Sequence, residues 1–215
     1  MRLSYRGREE LGTLWRSLRV GLVVAAVIML IVLAWLFWPK GAEKQAPTGA
    51  MNVPPFNQGD YTKTVAVIGG QDKSVKTSGC GAACVASLGQ YLTGDTEYDP
   101  QSLFQWAYDN DYYHGDGLSH AALSKMAGLF KLKTQWTDDQ KDVLDSLRDK
   151  RPVVAHMGHG AFSSGTGHYI MLVGQNSKGQ IIIHDPGSRK RSGSAYDLDF
   201  LVGQAKGETP FMIVY

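Results

Sequence analysis

The chain of 215 residues contains 43% hydrophobic and 20% charged residues, the composition of an ordinary globular protein. Lysine and arginine number 22 against 20 for aspartate and glutamate, and no basic stripe interleaved with aromatic residues occurs in the body of the chain. This charge pattern predicts no nucleic-acid partner. Two cysteines are too few for a scaffold built on disulfides.

The first element in chain order is a run of 19 residues without a charge, VGLVVAAVIMLIVLAWLFW, from Val20 to Trp38. At about 1.5 Å per residue, a helix of this length covers the roughly 30 Å of a membrane hydrocarbon core. The run is longer than the apolar core of a cleaved signal peptide, and the PKGAEKQ that follows holds no convincing cleavage site. We therefore expect a retained, single-pass membrane anchor over residues 20–38.

The charges on either side of this run predict its orientation. Five arginines lie within residues 1–19, whereas only Lys40 and Lys44 follow the run closely. Because positive residues favour the cytoplasmic side, residues 1–19 are predicted to be cytoplasmic and everything after the anchor extracytoplasmic. Residues 39–50, PKGAEKQAPTGA, are small and polar and predict a linker. Residues 51–215 then form one domain, long enough to bury a sizeable core.

The first half of this domain carries helical patterns. After Cys80, apolar residues recur at helical spacing, and the run ends at Thr93 and Gly94. Three further amphipathic segments predict helices, at residues 99–110, 118–130 and 137–150, the first of them entered by an aspartate before a proline.

The second half carries short β-branched or aromatic runs instead. They predict strands at residues 152–157, 168–174, 180–185 and 210–215, with QNSKG as a hairpin connection between the second and the third. Helices followed by antiparallel strands predict an α+β fold.

Both cysteines lie in SGCGAACVASLGQYLTG, residues 78–94. A disulfide between Cys80 and Cys84 would span one helical turn, where Cβ atoms are ~5–6 Å apart, against the roughly 3.8 Å that a disulfide needs. A metal site would need histidine ligands, of which His156 and His159 in HMGH are the nearest pair, but their spacing is not that of the usual zinc sites. Cys84 falls on the apolar face of its helix, so we expect it to be a buried packing residue.

Cys80 has the position of a nucleophile. It stands between glycines at the start of the predicted helix, where N–H groups and a partial positive charge stabilise a thiolate and can hold an oxyanion. His168 begins one predicted strand and Asp185 ends the next. Because a short hairpin brings the start of its first strand beside the end of its second, we expect His168 and Asp185 to lie together. A cysteine, a histidine and an aspartate so arranged predict nucleophilic catalysis by a thiol.

The segments SGCGAACVASLGQYLTG, GHYIMLVG and IIIHDPGS, in this order, resemble a known family, the papain-like peptidases of the bacteriocin-processing type, family thirty-nine of the cysteine peptidases. CGAAC is similar to the peptidase domains that remove double-glycine leaders inside bacteriocin exporters. VPPFNQGDY, residues 53–61, looks like the stand-alone relatives of those domains. The resemblance implies a papain-like fold in which Cys80 is the nucleophile, His168 the general base and acid, and Asp185 the residue that orients the imidazole.

The resemblance also implies that Gln58 helps to form the oxyanion hole, together with the backbone N–H of Cys80. In the exporter domains this glutamine stands only a few residues before the cysteine, where this chain has Ser74. Gln71 is therefore an alternative to Gln58.

We thus expect a membrane-anchored, extracytoplasmic cysteine peptidase that acts on a peptide or protein through Cys80, His168 and Asp185, without a cofactor or a metal. A transpeptidase or amidase with the same three residues is an alternative, since all of these enzymes form an acyl-enzyme. A catalytically silent binding module on a membrane tether is another. The sequence does not name the substrate; the glycine- and aromatic-rich loops 109–117 and 156–167 are either walls of the cleft or plain surface turns.

Overall fold

The computed structural model describes residues 21–22, 25–30, 32–33, 49–165 and 167–215. The chain divides into two compact units, Met1–Gln45 and Ala46–Tyr215. The described residues of the first unit are helical and their side chains are exposed. Within the described ranges, no helix has both the length and the apolar character to cross a membrane. The predicted cytoplasmic segment, and most of the predicted anchor and linker, lie outside the described residues.

The second unit begins with a 3-10 turn, Gln58–Asp60, followed by a short antiparallel hairpin of β1 (Ala66–Ile68) and β2 (Gln71–Lys73). Its helices are α1 (Val75–Ser78), α2 (Cys80–Thr93), α3 (Pro100–Asp109), α4 (His120–Leu129), α5 (Gln140–Arg148) and α6 (Leu198–Gly203).

The ends of these helices follow the local sequence. α2 ends at Gly94, whose φ of 72° is the left-handed conformation that glycine adopts without a steric penalty. α3 is capped by Asp99, whose carboxylate accepts from the Ser102 N–H at 2.7 Å. The predicted helix at 137–150 is wrong in its start, because Thr137 belongs to a strand and α5 begins only after Asp139.

The remaining strands form one antiparallel sheet in the order β3-β8-β4-β5-β6-β7. They are β3 (Thr134–Thr137), β4 (Val153–Met157), β5 (His168–Gln175), β6 (Ile181–His184), β7 (Ala195–Tyr196) and β8 (Phe211–Val214). The four predicted strands are confirmed as β4, β5, β6 and β8. β3 and β7 are short edge strands that the sequence analysis missed, as it missed the hairpin of β1 and β2.

α2 is the helix that joins the two halves of the domain. It packs against β5 on one side and against α3 and α4 on the other, and its residues 81–89 are all buried. Small residues permit this close packing: a Cβ at Gly89 would lie 2.4 Å from the ring of Phe130. The result is the predicted α+β fold, with the start of α2 held against the start of β5.

Candidate active site

The pairing of β5 with β6 brings a histidine and an aspartate together. Met171 pairs with His184 and Leu172 with Ile183, so the start of β5 lies beside the end of β6. There His168 Nε2 lies 2.7 Å from Asp185 Oδ1. The adjacency predicted from the hairpin connection is therefore present.

Cys80 is the first residue of α2, and the packing of α2 on β5 places its thiol against His168. Sγ is hydrogen-bonded to the His168 ring and receives the backbone N–H groups of Tyr169 and Gly81. Because Asp185 already engages Nε2 of His168, Nδ1 is the ring nitrogen left for Sγ. Cys80, His168 and Asp185 thus form a continuous hydrogen-bonded chain.

The electrostatic interactions among these three side chains favour a thiolate on Cys80 beside an imidazolium on His168. Burial alone would raise the pKa of the Cys80 thiol, but the hydrogen bond and charge of His168 and the two N–H groups outweigh it and bring that pKa below its ordinary value. Burial alone would lower the pKa of His168, but the contacts with Asp185 and Cys80 raise it to about 9. These shifts stabilise the pair as a thiolate and an imidazolium, the form in which the sulfur is a nucleophile.

The pKa of the Cys84 thiol shifts in the opposite direction. Cys84 lies one turn further along α2, is completely buried and, like Cys80, is free. Burial, with the nearby charges of Cys80 and Asp185, raises the pKa of the Cys84 thiol well above its ordinary value. Cys84 is thus a neutral core residue, as the sequence predicted.

The carboxylate of Asp185 is completely buried, and each of its oxygens has a donor. Oδ1 accepts from His168 and, at 2.8 Å, from the backbone N–H of Gly187, while Oδ2 accepts from Nε of Arg191 at 2.5 Å. Burial alone would raise the pKa of Asp185, but the hydrogen bonds and charges of His168 and Arg191 hold it below its usual value. Sequence reasoning missed Arg191, one of several basic residues in SRKR, because nothing local distinguishes it.

Glycines let the backbone approach the reacting groups. A Cβ at Gly81 would lie 2.9 Å from Cδ1 of Leu123 and 3.2 Å from the ring of Tyr169. A Cβ at Gly187 would lie 3.1 Å from Cε1 of His168. A side chain at either position would therefore be crowded, which favours glycine. The ring of Tyr169 beside Gly81 is itself held in place, because its hydroxyl donates to the carbonyl of Leu118 at 2.9 Å.

Gln58 contacts the segment just before Cys80 and the loop after β6, although 22 positions separate it from Cys80 in the sequence. Its backbone N–H donates to the carbonyl of Pro186, the residue after Asp185, and its side-chain Nε2 donates to the carbonyl of Lys76, each at 2.9 Å. Lys76 stands one helical turn before Cys80. The hairpin of β1 and β2 accounts for the long separation, because the chain leaves and returns between Gln58 and α1.

Gln71, the alternative to Gln58, and Ser74, which stands where the exporter domains have their glutamine, have different surroundings. Gln71 is exposed on β2, and its Oε1 accepts from Nζ of Lys73 at 3.1 Å. Ser74 is buried at the start of α1, where its backbone N–H donates to Oγ1 of Thr77 at 3.0 Å. Gln58, by contrast, contacts both the residue after Asp185 and the short helix α1 that precedes Cys80.

Cys80 lies in the wall of a cavity of about 560 Å³. The rest of its lining comes from residues 116–120, His156, Gly167, Tyr169 and Lys206. Parts of both predicted loops, 109–117 and 156–167, therefore border the same space as the thiol.

Three of the lining residues, His120, His156 and Tyr169, belong to an aromatic cluster that also contains Trp136. His120 stacks on Trp136 at 3.6 Å between ring centroids, its Nε2 lies 3.0 Å from Nδ1 of His156, and His156 stacks on Tyr169 at 4.5 Å. Burial lowers the pKa of His120, and burial with the charge of His120 lowers that of His156 to about 4, so both rings are uncharged near neutral pH. His159 is exposed, and no group of three or more metal-binding side chains occurs in the part of the chain that the structure describes.

The family model described as "Peptidase_C39 like family" matches residues 50–208 of the chain. Among solved structures, a C39-like peptidase from Bacillus anthracis superposes with a TM-score of 0.55 at 14% identity, over 78% of this chain and 97% of that one. The peptidase domain of Streptococcus ComA, a bifunctional ABC transporter involved in a quorum-sensing pathway, superposes with a TM-score of 0.50 at 18% identity, over 65% of this chain and 90% of that one. No curated protein matches the chain significantly.

The contrast between the two thiols predicts their reactivity. In the native protein Cys80 is expected to be alkylated by iodoacetamide at pH 7, and Cys84 only after unfolding. The rate of Cys80 alkylation should rise at a pH below the ordinary thiol pKa of about 8.5. His168→Ala should move that rise to higher pH, because the imidazolium that stabilises the thiolate is lost. Mass spectrometry of each labelled cysteine across a pH series measures both effects; equal reactivity of the two native thiols would contradict the assignment.

Proposed function

Since this chain belongs to the C39-like family of papain-like cysteine peptidases, we propose that it hydrolyses peptide bonds with Cys80, His168 and Asp185 as its catalytic residues. The observation that carries the proposal is the hydrogen-bonded chain from the thiol through His168 to a buried carboxylate, at the wall of an open cavity. As a peptidase the protein is a hydrolase with a peptide or protein substrate.

The geometry supports the following sequence of steps. The Cys80 thiolate attacks the carbonyl carbon of the scissile bond, and the N–H groups at the start of α2 receive the oxyanion. His168 then gives its proton to the leaving amine, and a thioester on Cys80 remains. His168, now neutral, takes a proton from water, which attacks the thioester and releases the acid. Asp185 keeps the ring oriented throughout and stabilises its charged form.

Gln58 is proposed to supply a further oxyanion donor from its side-chain amide. One hydrogen of Nε2 is used by the carbonyl of Lys76, which leaves the second for the substrate. The bond to Lys76 and the backbone bond to Pro186 hold this amide between α1 and the loop after β6.

We also propose that residues 20–38 anchor the protein in the cell membrane, with residues 1–19 in the cytoplasm and the peptidase domain outside it. The support is the uncharged run of the sequence and the arginine excess before it. Apolar side chains of the described residues in this run are exposed, with accessible fractions from 38% for Leu33 to 64% for Leu22. A helix that is apolar around its circumference is stable when lipid, rather than water, surrounds it.

Turnover of a peptide library by the purified protein tests the catalytic assignment. Cys80→Ala and His168→Ala are each expected to abolish cleavage, and the double variant should be little worse than either, because the two residues act as a unit. Cys84→Ala should retain cleavage. Mass spectrometry of the products distinguishes hydrolysis from transfer to an added amine, the sign of a transpeptidase. A native protein that cleaves nothing and forms no thioester would instead be a binding module.

Substitution of the two glutamines separates their roles. Gln58→Ala is expected to lower kcat by roughly 10²–10³, the usual loss for one oxyanion donor. It should leave the alkylation rate of Cys80 nearly unchanged, because the donor acts on the transition state and not on the thiolate. Gln71→Ala, the matched control, should be close to neutral. A large loss in Gln71→Ala with a silent Gln58→Ala would transfer the role to Gln71.

A reporter enzyme that is active only outside the cytoplasm tests the topology. Fused after Tyr215, it is expected to be active, and fused before Met1, silent, because the arginines precede the apolar run. The opposite result would reverse the orientation. A mature protein that begins after Lys40 would identify the run as a cleaved signal peptide.

A further inference from the structure

We propose that Arg191 is a positioning residue of this site, which fixes the carboxylate of Asp185 and supplies the positive charge that keeps the buried site neutral. The inference rests on the proposed function, in which Asp185 orients His168 for the chemistry of Cys80.

The contact has the geometry of a fixed support. Nε of Arg191 donates to Oδ2 of Asp185 at 2.5 Å, while Oδ1 is shared by His168 and Gly187. With donors on both oxygens, the carboxylate cannot rotate without losing a charge-assisted hydrogen bond. The Asp185 side chain is completely inaccessible, whereas that of Arg191 is 34% exposed. The guanidinium therefore reaches water and the carboxylate does not.

The loop that follows β6 is folded so that Arg191 returns to Asp185. The backbone N–H of Asp185 donates to Oγ of Ser192 at 2.9 Å, and that hydroxyl contacts the carbonyls of Asp185 and Ser188. The N–H of Arg191 donates to Oγ of Ser188 at 3.2 Å. These local bonds close residues 185–192 into a turn, so the position of Arg191 is set by the loop and not by the ion pair alone.

The charges of the site explain what the guanidinium contributes. In the resting enzyme the Cys80 thiolate and the Asp185 carboxylate are matched by the His168 imidazolium and by Arg191, and the sum is zero. In the thioester the sulfur is neutral and His168 has given its proton to the leaving amine, so Asp185 and Arg191 again sum to zero. Without Arg191 the site would carry one uncompensated negative charge in both states, which is costly at a buried position.

The other titratable groups beside the triad have pKa values that are shifted towards their neutral forms. Burial raises the pKa of Cys84, and that of Tyr169, above its usual value, and both groups are neutral. His156 has a pKa of about 4, and burial lowers the pKa of His120 and of His184 below the ordinary histidine value, so these rings are uncharged near neutral pH. Near neutral pH the charge state of the site therefore depends on Cys80 and on His168, whose pKa is about 9.

The pH dependence of Cys80 alkylation and of kcat, measured on Arg191→Gln, Arg191→Lys and Lys190→Gln, tests the proposal. Removal of a nearby positive charge makes the loss of a proton less favourable, so Arg191→Gln should move the rise of the alkylation profile and both limbs of the kcat profile to higher pH, by about one unit. Arg191→Lys keeps the charge and should keep the limbs in place, with a lower kcat from the less exact donor. Lys190→Gln removes the same charge from the neighbouring exposed position and should match the parent protein.

A second pair of variants separates positioning from folding. In an Asp185→Asn background Arg191 has no carboxylate to hold in place, so adding Arg191→Lys should lower kcat little further, although the same substitution lowers kcat in the parent protein. Equal losses of kcat from Arg191→Lys in the parent protein and in the Asp185→Asn background, or an unshifted alkylation profile in a folded Arg191→Gln protein, would overturn the proposal. If the alkylation profile shifts as expected and neither the parent protein nor any variant cleaves peptides, the role of Arg191 stands and the peptidase assignment fails, since alkylation needs no substrate.

Discussion

A carboxylate removed from water destabilises a protein by several kcal/mol unless charged partners and hydrogen bonds compensate it, and Asp185 is such a carboxylate. Its compensation determines much of the surrounding structure. His168 is held by one of its oxygens and Arg191 by the other, and the turn after β6 supplies a backbone N–H. The same turn receives the backbone of Gln58. The network that satisfies one buried charge therefore also assembles the residues proposed for catalysis.

The second constraint is the close approach of α2 to the sheet. Cys80 and Cys84 stand one turn apart on this helix, yet the pKa of the first is lowered and that of the second is raised. Burial acts on both thiols in the same direction. The difference comes from their neighbours. Cys80 is hydrogen-bonded to the His168 ring and to two backbone N–H groups, whereas Cys84 is buried in the core. The contact between α2 and β5 therefore lowers the pKa of Cys80 and not that of Cys84. The absence of a side chain at Gly81 permits this contact.

The sequence alone was sufficient where the relevant contacts are local. The hairpin connection predicts that His168 and Asp185 meet, because strand pairing across a short turn leaves few registers. It was not sufficient where distant segments meet. Arg191 acquires its role from a turn whose shape depends on side chains binding the backbone, and no spacing rule marks it among its basic neighbours. β3 and β7 are short edge strands of four and two residues, too brief for their periodicity to be distinctive, and they form because neighbouring strands offer them partners. The cluster of His120, Trp136 and His156 joins three elements that lie far apart in the sequence.

The hairpin of β1 and β2 lies outside this network of contacts, although it interrupts the segment between Gln58 and Cys80. Its two ends are pinned, since Val65 donates to the carbonyl of Lys73 and Gln58 to that of Lys76. At its tip, Gly69 and Gly70 adopt positive φ, and a Cβ added at either would meet nothing within 4 Å. Lengthening a loop whose ends are fixed destabilises a protein only slightly, by about 0.6 kcal/mol for each doubling. The tip is accordingly a suitable insertion site for an epitope or a fluorescent label. Such a label would allow the enzyme to be followed in living cells without alteration of its chemistry.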